Sequence, residues 1–265
     1  MRSTELADPN PERGGTSNPT PLWHWLYLPW VWLVFLPLML VLTLFWTSAA
    51  WFLGHFHADW AYGCAKPWAR MLCLSNFTWV RLRGKENIQP GRAYVVMANH
   101  SSHFDILAVA ARHPVPHRWV MKEELRRVPF LGAACVKAGC VFINRKNRTD
   151  AINSLMSEST SALLERGVSL FIFPEGTRSS DGRLQELKKG GFMVALGLGL
   201  PILPMTITGS NRILPPHGLH IAPGVITMTV HRAIESGDYG IEKREELMDA
   251  VRQAISSGLP GDGQS

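Results

Sequence analysis

The stretch YVVMANHSSHFD, from Tyr94 to Asp105, joins an apolar run to a polar turn. Its first five residues are apolar and predict a short buried strand. Ser102 followed three residues later by Asp105 is the pattern of a capping box, so we predict that a helix begins near His103. A strand, a short turn and a helix in this order form the repeating unit of an α/β domain.

The same alternation continues on both sides of this stretch. Further short runs rich in Val, Ile, Phe and Met predict strands at Phe77–Arg83, Arg118–Met121, Cys140–Ile143, Val168–Phe173, Ile202–Thr208 and Val225–Val230. Apolar residues at helical spacing predict helices at Thr149–Arg166 and Ile241–Ser257. The pattern predicts an α/β sandwich.

His100 and Asp105 are the candidate catalytic pair. His100 lies in the predicted turn and Asp105 in the first turn of the predicted helix, so the turn can bring the carboxylate back onto the imidazole. A carboxylate on one ring nitrogen fixes the tautomer and raises the basicity of the other, which suits proton abstraction from an alcohol. A surface turn with a capped helix would show the same two residues, and the pair alone does not distinguish the two interpretations.

Three further segments carry candidate functional residues. Phe173–Arg178 reads FPEGTR and follows an apolar strand, at the strand end where ligands bind in α/β sheets. Gly176 permits close backbone approach, and Arg178 offers a planar fork for phosphate; a turn closed by a Glu–Arg contact is the structural alternative. Val141–Arg145 is another strand that ends in Arg, and Leu200–Pro204 frames the start of a strand with two prolines.

The N-terminal region is strongly apolar. No Asp, Glu, Lys or Arg occurs from Gly14 to Ala58, and Trp30–Leu53 is longer than the ~20 residues that cross a hydrocarbon core as a helix. A single crossing and a bent helical pair within one leaflet, with Pro37 near the bend, both fit this pattern. More basic residues follow the apolar run than precede it, so a single span would place the main domain in the cytoplasm.

These features define four parts of the chain. We expect a disordered tail at residues 1–21, a membrane-anchoring helix or helical hairpin at 22–58, an α/β domain at 59–258 and a disordered tail at 259–265. The formal net charge of +6 suits anionic lipid or a phosphorylated substrate, and no nucleic-acid motif accompanies it. The four cysteines match no zinc spacing, so no metal site is predicted. A serine-hydrolase elbow and a phosphate-binding P-loop are both missing from the sequence.

Taken together, the four segments resemble the signature blocks of the glycerophosphate and lysophosphatidate acyltransferase family. These are a His-x4-Asp (HX4D) block, a Phe-x-x-Arg block, a Phe-Pro-Glu-Gly-Thr-Arg block and a Pro-rich block. The flanks Trp119–Leu125, Val128–Gly132 and Leu187–Phe192 are similar to the bacterial lysophosphatidate branch. The resemblance covers roughly Tyr94–Gly209, with a departure at Ser101, where bacterial members often carry Gln.

The resemblance implies a mixed-sheet α/β sandwich with an N-terminal membrane anchor. His100 is implied as the general base and Asp105 as the residue that orients it, with direct attack on the thioester of acyl-CoA or acyl-carrier protein and no cofactor. The implied substrate-binding residues are Arg145, Glu175, Gly176, Thr177, Arg178, Lys122 and Lys188. Among them the two arginines are expected to bind the acceptor phosphate, and the two lysines to be further anion contacts.

The expected activity is acylation of the 2-hydroxyl of lysophosphatidic acid to phosphatidic acid at the cytoplasmic face of the inner membrane. Glycerol 3-phosphate, a lyso-ornithine lipid or another lysophospholipid is an alternative acceptor. A catalytically silent lipid-binding membrane protein is the alternative outside the enzymes.

Overall fold

The computed structural model describes residues 22–113, 115–144, 154–155, 157–216, 218 and 220–260. Its strands are β1 Thr78–Arg83, β2 Val95–Ala98, β3 His117–Lys122, β4 Val141–Ile143, β5 Ser169–Ile172, β6 Ile202–Thr208 and β7 Gly224–Val230. Its α-helices are α1 Leu22–Trp30, α2 Leu36–Leu53, α3 Ala58–Gly63, α4 Ala65–Ser75, α5 Phe104–Arg112, α6 Leu131–Lys137, α7 Glu158–Glu165, α8 Lys189–Leu198, α9 Ser210–Ile213 and α10 Arg244–Ser257.

All seven predicted strands are present, and they form one mixed sheet in the order β1-β7-β6-β2-β5-β3-β4. Strands β6, β2, β5, β3 and β4 are parallel, whereas β7 runs antiparallel to β6 and pairs in parallel with β1. The predicted helix at Ile241–Ser257 is confirmed with a start at Arg244. Of the helix predicted at Thr149–Arg166, residues 149–153 and 156 lie outside the described part of the chain, as do both predicted tails apart from residues 259–260.

Each face of the sheet is covered by helices, because the central strands are apolar on both sides. Val96 and Phe171 belong to a cluster that α4, α5 and the N-terminal helices complete. Val95 and Leu170, one position away on the same strands, belong to a second cluster with α8 and α10. The fold is therefore an α/β sandwich, as the sequence predicted.

The strand register brings several strand ends to one edge. Ala98 pairs with Met205, and Met97 pairs with Ile172. Because these strands are parallel, the turns that follow β2, β5 and β6 lie side by side at the carboxyl edge of the sheet. Lys122, at the end of β3, lies at the same edge.

The N-terminal segment is helical from Leu22 to Leu53, with a π-helical turn at Val31–Phe35. The π turn directly precedes Pro37, which has no N–H to donate and crowds the preceding turn. The chain remains helical through Pro37 as far as Leu53. Leu26–Leu53 is long and apolar enough to cross a membrane, by length and composition.

One side of this N-terminal helix packs along the domain. The Trp30 indole N–H donates to the Ser75 carbonyl at 3.0 Å, and the Trp68 indole N–H donates to Thr43 Oγ1 at 3.1 Å. Phe35, 1% exposed, stacks on Phe104 at the start of α5. The outward side exposes large apolar residues, including Leu26, Trp32, Leu33, Leu40, Val41, Phe45 and Phe52.

Candidate active site

Asn99 fixes the turn that follows β2. Its side-chain amide donates to the Ile207 carbonyl at 2.8 Å and accepts from the Ile207 N–H at 2.7 Å. The Asn99 side chain thus makes the two hydrogen bonds that a backbone N–H and C=O would make. It extends the pairing of β2 with β6 by one residue. The next residue, His100, is thereby directed out of the sheet at its carboxyl edge.

His100 and Asp105 are in contact, with the geometry expected from the sequence. His100 Nδ1 lies 2.9 Å from Asp105 Oδ2, and the same oxygen accepts from the backbone N–H groups of Ser101 and Ser102, each at 2.8 Å. The Asp105 side chain is fully buried. Because a carboxylate oxygen accepts, Nδ1 carries the hydrogen and Nε2 is left as the basic nitrogen.

The capping box forms in part. The Asp105 carboxylate accepts from the Ser102 N–H as predicted, but Ser102 Oγ accepts from the Phe104 N–H at 3.2 Å and donates to the Leu214 carbonyl at 2.7 Å. The predicted helix start near His103 is confirmed, since α5 begins at Phe104. Ser102 therefore connects residues 99–103, the candidate catalytic turn, to the segment that follows α9.

Phe173 lies flat against the candidate base. Its ring centroid is 4.0 Å from that of the His100 imidazole, with an angle of 11° between the planes. The ring of Phe173 also contacts Phe171 and Trp119, which anchor it in the core. Stacked aromatic rings favour one ring orientation, so this contact holds the imidazole plane.

Glu175 holds the FPEGTR loop from the inside. It is 1% exposed, and its two carboxylate oxygens accept from the backbone N–H groups of His100 at 2.6 Å and Gln185 at 2.9 Å. Burial raises the pKa of Glu175 above its usual value, while these two hydrogen bonds act in the opposite direction. Its carboxylate thus contacts the backbone of the catalytic turn.

The rest of this loop lies against the same turn. The Ser179 N–H donates to the His100 carbonyl at 2.8 Å, and Gly176 takes a positive φ of 76°. Thr177 is exposed, with Oγ1 3.3 Å from Gln185 Oε1. Partial burial is the largest cause that lowers the pKa of His103, and the positive charge of Arg178 is the second. The positive charge of Arg178 is therefore within electrostatic reach of His103, which precedes α5.

The remaining predicted binding residues differ in position. Lys122 is exposed at the end of β3, on the carboxyl edge. The Lys188 N–H donates to the Pro174 carbonyl at 2.7 Å, while its exposed ammonium lies 3.8 Å from the Glu186 carboxylate. Arg145 lies outside the described residues, two positions after the end of β4.

Sequence reasoning missed the roles of Asn99, Phe173 and Gln185 in this site. Asn99 and Phe173 lie inside two of the segments predicted to be functional. Asn99, however, contacts β6, and Phe173 contacts His100, which follows β2. Gln185 acts through its backbone N–H, which no side-chain pattern reports.

Residues 79–208 match the family model described as Acyltransferase, a span that contains the catalytic turn and the FPEGTR loop. This span is an acyltransferase-family domain. Among curated acyltransferase relatives, a 1-acyl-sn-glycerol-3-phosphate acyltransferase of Chlamydomonas reinhardtii is 33% identical over 186 residues, which cover 69% of this chain and 54% of that protein. The alpha form of Ovis aries is 39% identical over 132 residues, covering 49% and 45%.

A solved acyltransferase structure gives the same result for the fold. The 1-acyl-sn-glycerophosphate (LPA) acyltransferase PlsC from Thermotoga maritima matches with a TM-score of 0.72 and 27% identity, over 85% of this chain and 92% of that chain. The chain covers less of its curated relatives than of this solved structure, since it spans about half to two thirds of the length of the first relatives it matches.

Proposed function

We propose that this protein transfers a fatty acyl group from a thioester donor, acyl-CoA or acyl-carrier protein, to the 2-hydroxyl of lysophosphatidic acid. The observation that carries the proposal is the His100–Asp105 pair, in which a buried carboxylate takes the Nδ1 hydrogen and leaves Nε2 to accept a proton. The names of the relatives and of the matched structure support this choice of acceptor.

The reaction needs one proton transfer in each direction. His100 Nε2 removes the hydroxyl proton as the acceptor oxygen attacks the thioester carbonyl, and an oxyanionic tetrahedral intermediate forms. Collapse of this intermediate breaks the carbon–sulfur bond, and the leaving thiolate takes the proton back from the imidazolium. Asp105 stabilises the imidazolium throughout, because its charge lies 2.9 Å from Nδ1.

Arg178 is the described residue best placed to bind the acceptor phosphate. It follows the loop that Glu175 and Ser179 fasten to His100, and its charge is close enough to influence His103. A guanidinium can donate two parallel hydrogen bonds to one phosphate. We assign the same role to Arg145 from the family pattern, and a secondary anion-binding role to Lys122 and Lys188.

The N-terminal helix supports a location on the membrane. Its contacts with the domain extend from Tyr27 to Ala50, whereas its outward side is apolar and exposed. A helix that is fixed along its length to the domain cannot cross a bilayer while the domain stays in water. The helix therefore lies in one leaflet with its outward side in the acyl region. Because basic residues follow the apolar run closely, we place this leaflet and the active site on the cytoplasmic side.

An acylation assay on membranes tests the function directly. Lysophosphatidate, glycerol 3-phosphate, lyso-ornithine lipid and other lysophospholipids are each offered with acyl-CoA and with acyl-carrier protein. We expect the highest rate with lysophosphatidate, and we expect His100→Ala to lose about 10²- to 10⁴-fold in rate while remaining folded and membrane-bound. Unchanged turnover in His100→Ala would refute the mechanism, and no turnover with any acceptor would refute the function.

A further inference from the structure

Between β3 and α6 the chain forms a 3₁₀-helix, Glu123–Arg127, and then an exposed turn. Residues 125–130, called here the 125–130 turn, present apolar side chains. Leu125, Val128 and Phe130 are 36%, 38% and 60% exposed. Large apolar residues exposed together on one short turn are typical of surfaces that bind a protein or a membrane.

The turn is tightly constrained. Phe130 has φ 61° and ψ −56°, and the Leu131 N–H donates to the Pro129 carbonyl at 2.6 Å. This is the γ-turn with positive φ, a rare and strained conformation for a residue other than glycine. At Gly132 an added Cβ would lie 2.1 Å from the Arg126 carbonyl oxygen. The fold therefore holds the backbone at Phe130 in one arrangement, with the ring exposed.

Basic side chains accompany the apolar ones. Arg127 is exposed, and Arg126 pairs with Glu123 at 2.9 Å and lies over the Phe142 ring at 4.7 Å. Apolar and aromatic side chains next to Arg match the boundary of a bilayer, where the acyl region meets anionic phosphates.

The position of the turn also fits a bilayer. It begins three residues after β3 ends at Lys122, at the carboxyl edge of the sheet that also holds His100. It ends at α6, which packs on α2 through Ala134 and Ala50. The turn is thus joined by one short helix to the helix whose outward side is apolar.

We propose that the 125–130 turn is a second membrane contact of this protein. Phe130 and Val128 enter the boundary between headgroups and acyl chains, and Arg127 binds a lipid phosphate. The contact holds the carboxyl edge of the sheet against the bilayer that contains the lipid acceptor. The role of the contact in reaching the lipid acceptor rests on the proposed function. The contact with the membrane itself does not require turnover.

Photo-crosslinking tests the contact independently of activity. The full chain carrying benzoylphenylalanine at position 130 is reconstituted in vesicles of phosphatidylcholine and phosphatidylglycerol, irradiated and analysed by mass spectrometry. The control carries the same group at Ile241, an apolar residue that is 63% exposed before α10 on the other side of the sheet. We expect a phospholipid adduct at 130 and none at 241. Absence of an adduct at 130, or equal adducts at both positions, would overturn the proposal.

Kinetics test the purpose of the contact. We expect Phe130→Asp to lower kcat/KM for vesicle-embedded lysophosphatidate by about tenfold or more, and to leave kcat/KM for a short-chain acceptor in free solution unchanged. Arg127→Gln should lower the rate by about fivefold only in vesicles that contain phosphatidylglycerol. Ile241→Asp should change neither rate.

The outcomes separate the contact from the function. Equal loss on both acceptors in Phe130→Asp would mean that the turn supports the active site and not the membrane contact. A wild-type chain without turnover would refute the proposed function, and the lipid adduct at position 130 would still decide the contact.

Discussion

The imidazole of His100 stacks on the ring of Phe173, with 4.0 Å between centroids and 11° between planes. The stacked ring limits rotation of the imidazole, so Nε2 points in one direction when the acceptor hydroxyl arrives. It also places an aromatic face against a group that becomes positively charged in the transition state. Phe173 is thus a positioning residue for the proposed base.

Phe173→Leu keeps an apolar side chain of similar volume and removes the stack. We expect kcat to fall about 3- to 10-fold with little change in either KM, since a stacked pair contributes about 0.5–1.5 kcal/mol. Phe192→Leu is the matched control, because Phe192 is fully buried on α8 and belongs to the cluster on the other face of the sheet. That variant should lose stability but retain kcat; a larger loss of kcat in the control would contradict the role of Phe173.

Glu175→Gln tests whether this side chain acts through the backbone of His100. A glutamine has one acceptor oxygen for two N–H groups, so a buried N–H is left unpaired at a cost of about 1–3 kcal/mol. We expect a lower midpoint of unfolding and a lower kcat, with a small change in KM for lysophosphatidate. Glu165→Gln, at an exposed glutamate that ends α7, is the control and should leave kcat unchanged. A selective rise in the acceptor KM of Glu175→Gln would instead place Glu175 in the phosphate pocket.

Arg178→Lys tests the proposed phosphate contact. The loss of a charge-assisted hydrogen bond, about 1.5–3 kcal/mol, predicts a 10- to 100-fold rise in KM for lysophosphatidate. A lysine is a point charge that cannot reproduce the bidentate fork. Arg81→Lys is the control, because Arg81 is an exposed residue of β1, the strand at one edge of the sheet. If only the KM of the donor rises, Arg178 binds the phosphates of coenzyme A instead.

Two histidines with lowered pKa values, the half-buried His113 and the buried His117, predict a pH-dependent stability. Burial lowers the pKa of His113 to about 4, and it lowers the pKa of His117 well below its usual value, with repulsion from His113 as the next cause. Below about pH 6.5 the unfolded chain binds protons at these sites and the folded chain does not, so the free energy of unfolding falls as the pH drops from 6.5 to 4. The loss from His113 alone is up to roughly 3 kcal/mol.

Urea unfolding in detergent, followed by tryptophan fluorescence across this pH range, measures the effect. His113→Asn removes one titrating group and keeps a side chain that can bond to the Val115 backbone. We expect a smaller fall in stability in the variant. The same fall in both proteins would show that other groups cause the pH dependence.

The strands were predictable because short apolar runs between polar turns report burial directly. Their order in the sheet was not, since the contact of β6 with β2 and β7 depends on packing between distant segments. The His100–Asp105 contact followed from local spacing. The inward orientation of Glu175 could not be predicted, because both of its partners are backbone N–H groups from different parts of the chain.

The long N-terminal helix has a consequence for biosynthesis. Phe35 belongs to the same buried cluster as Phe104, Phe171 and Met205, all of which follow it in the chain. The helix therefore leaves the ribosome before the surface that covers its inward side exists, while a nearby bilayer can cover its outward side at once. With the proposed membrane location, maturation of this protein ends with the nascent domain closing onto a helix already at the membrane, so that targeting comes before the completion of the fold.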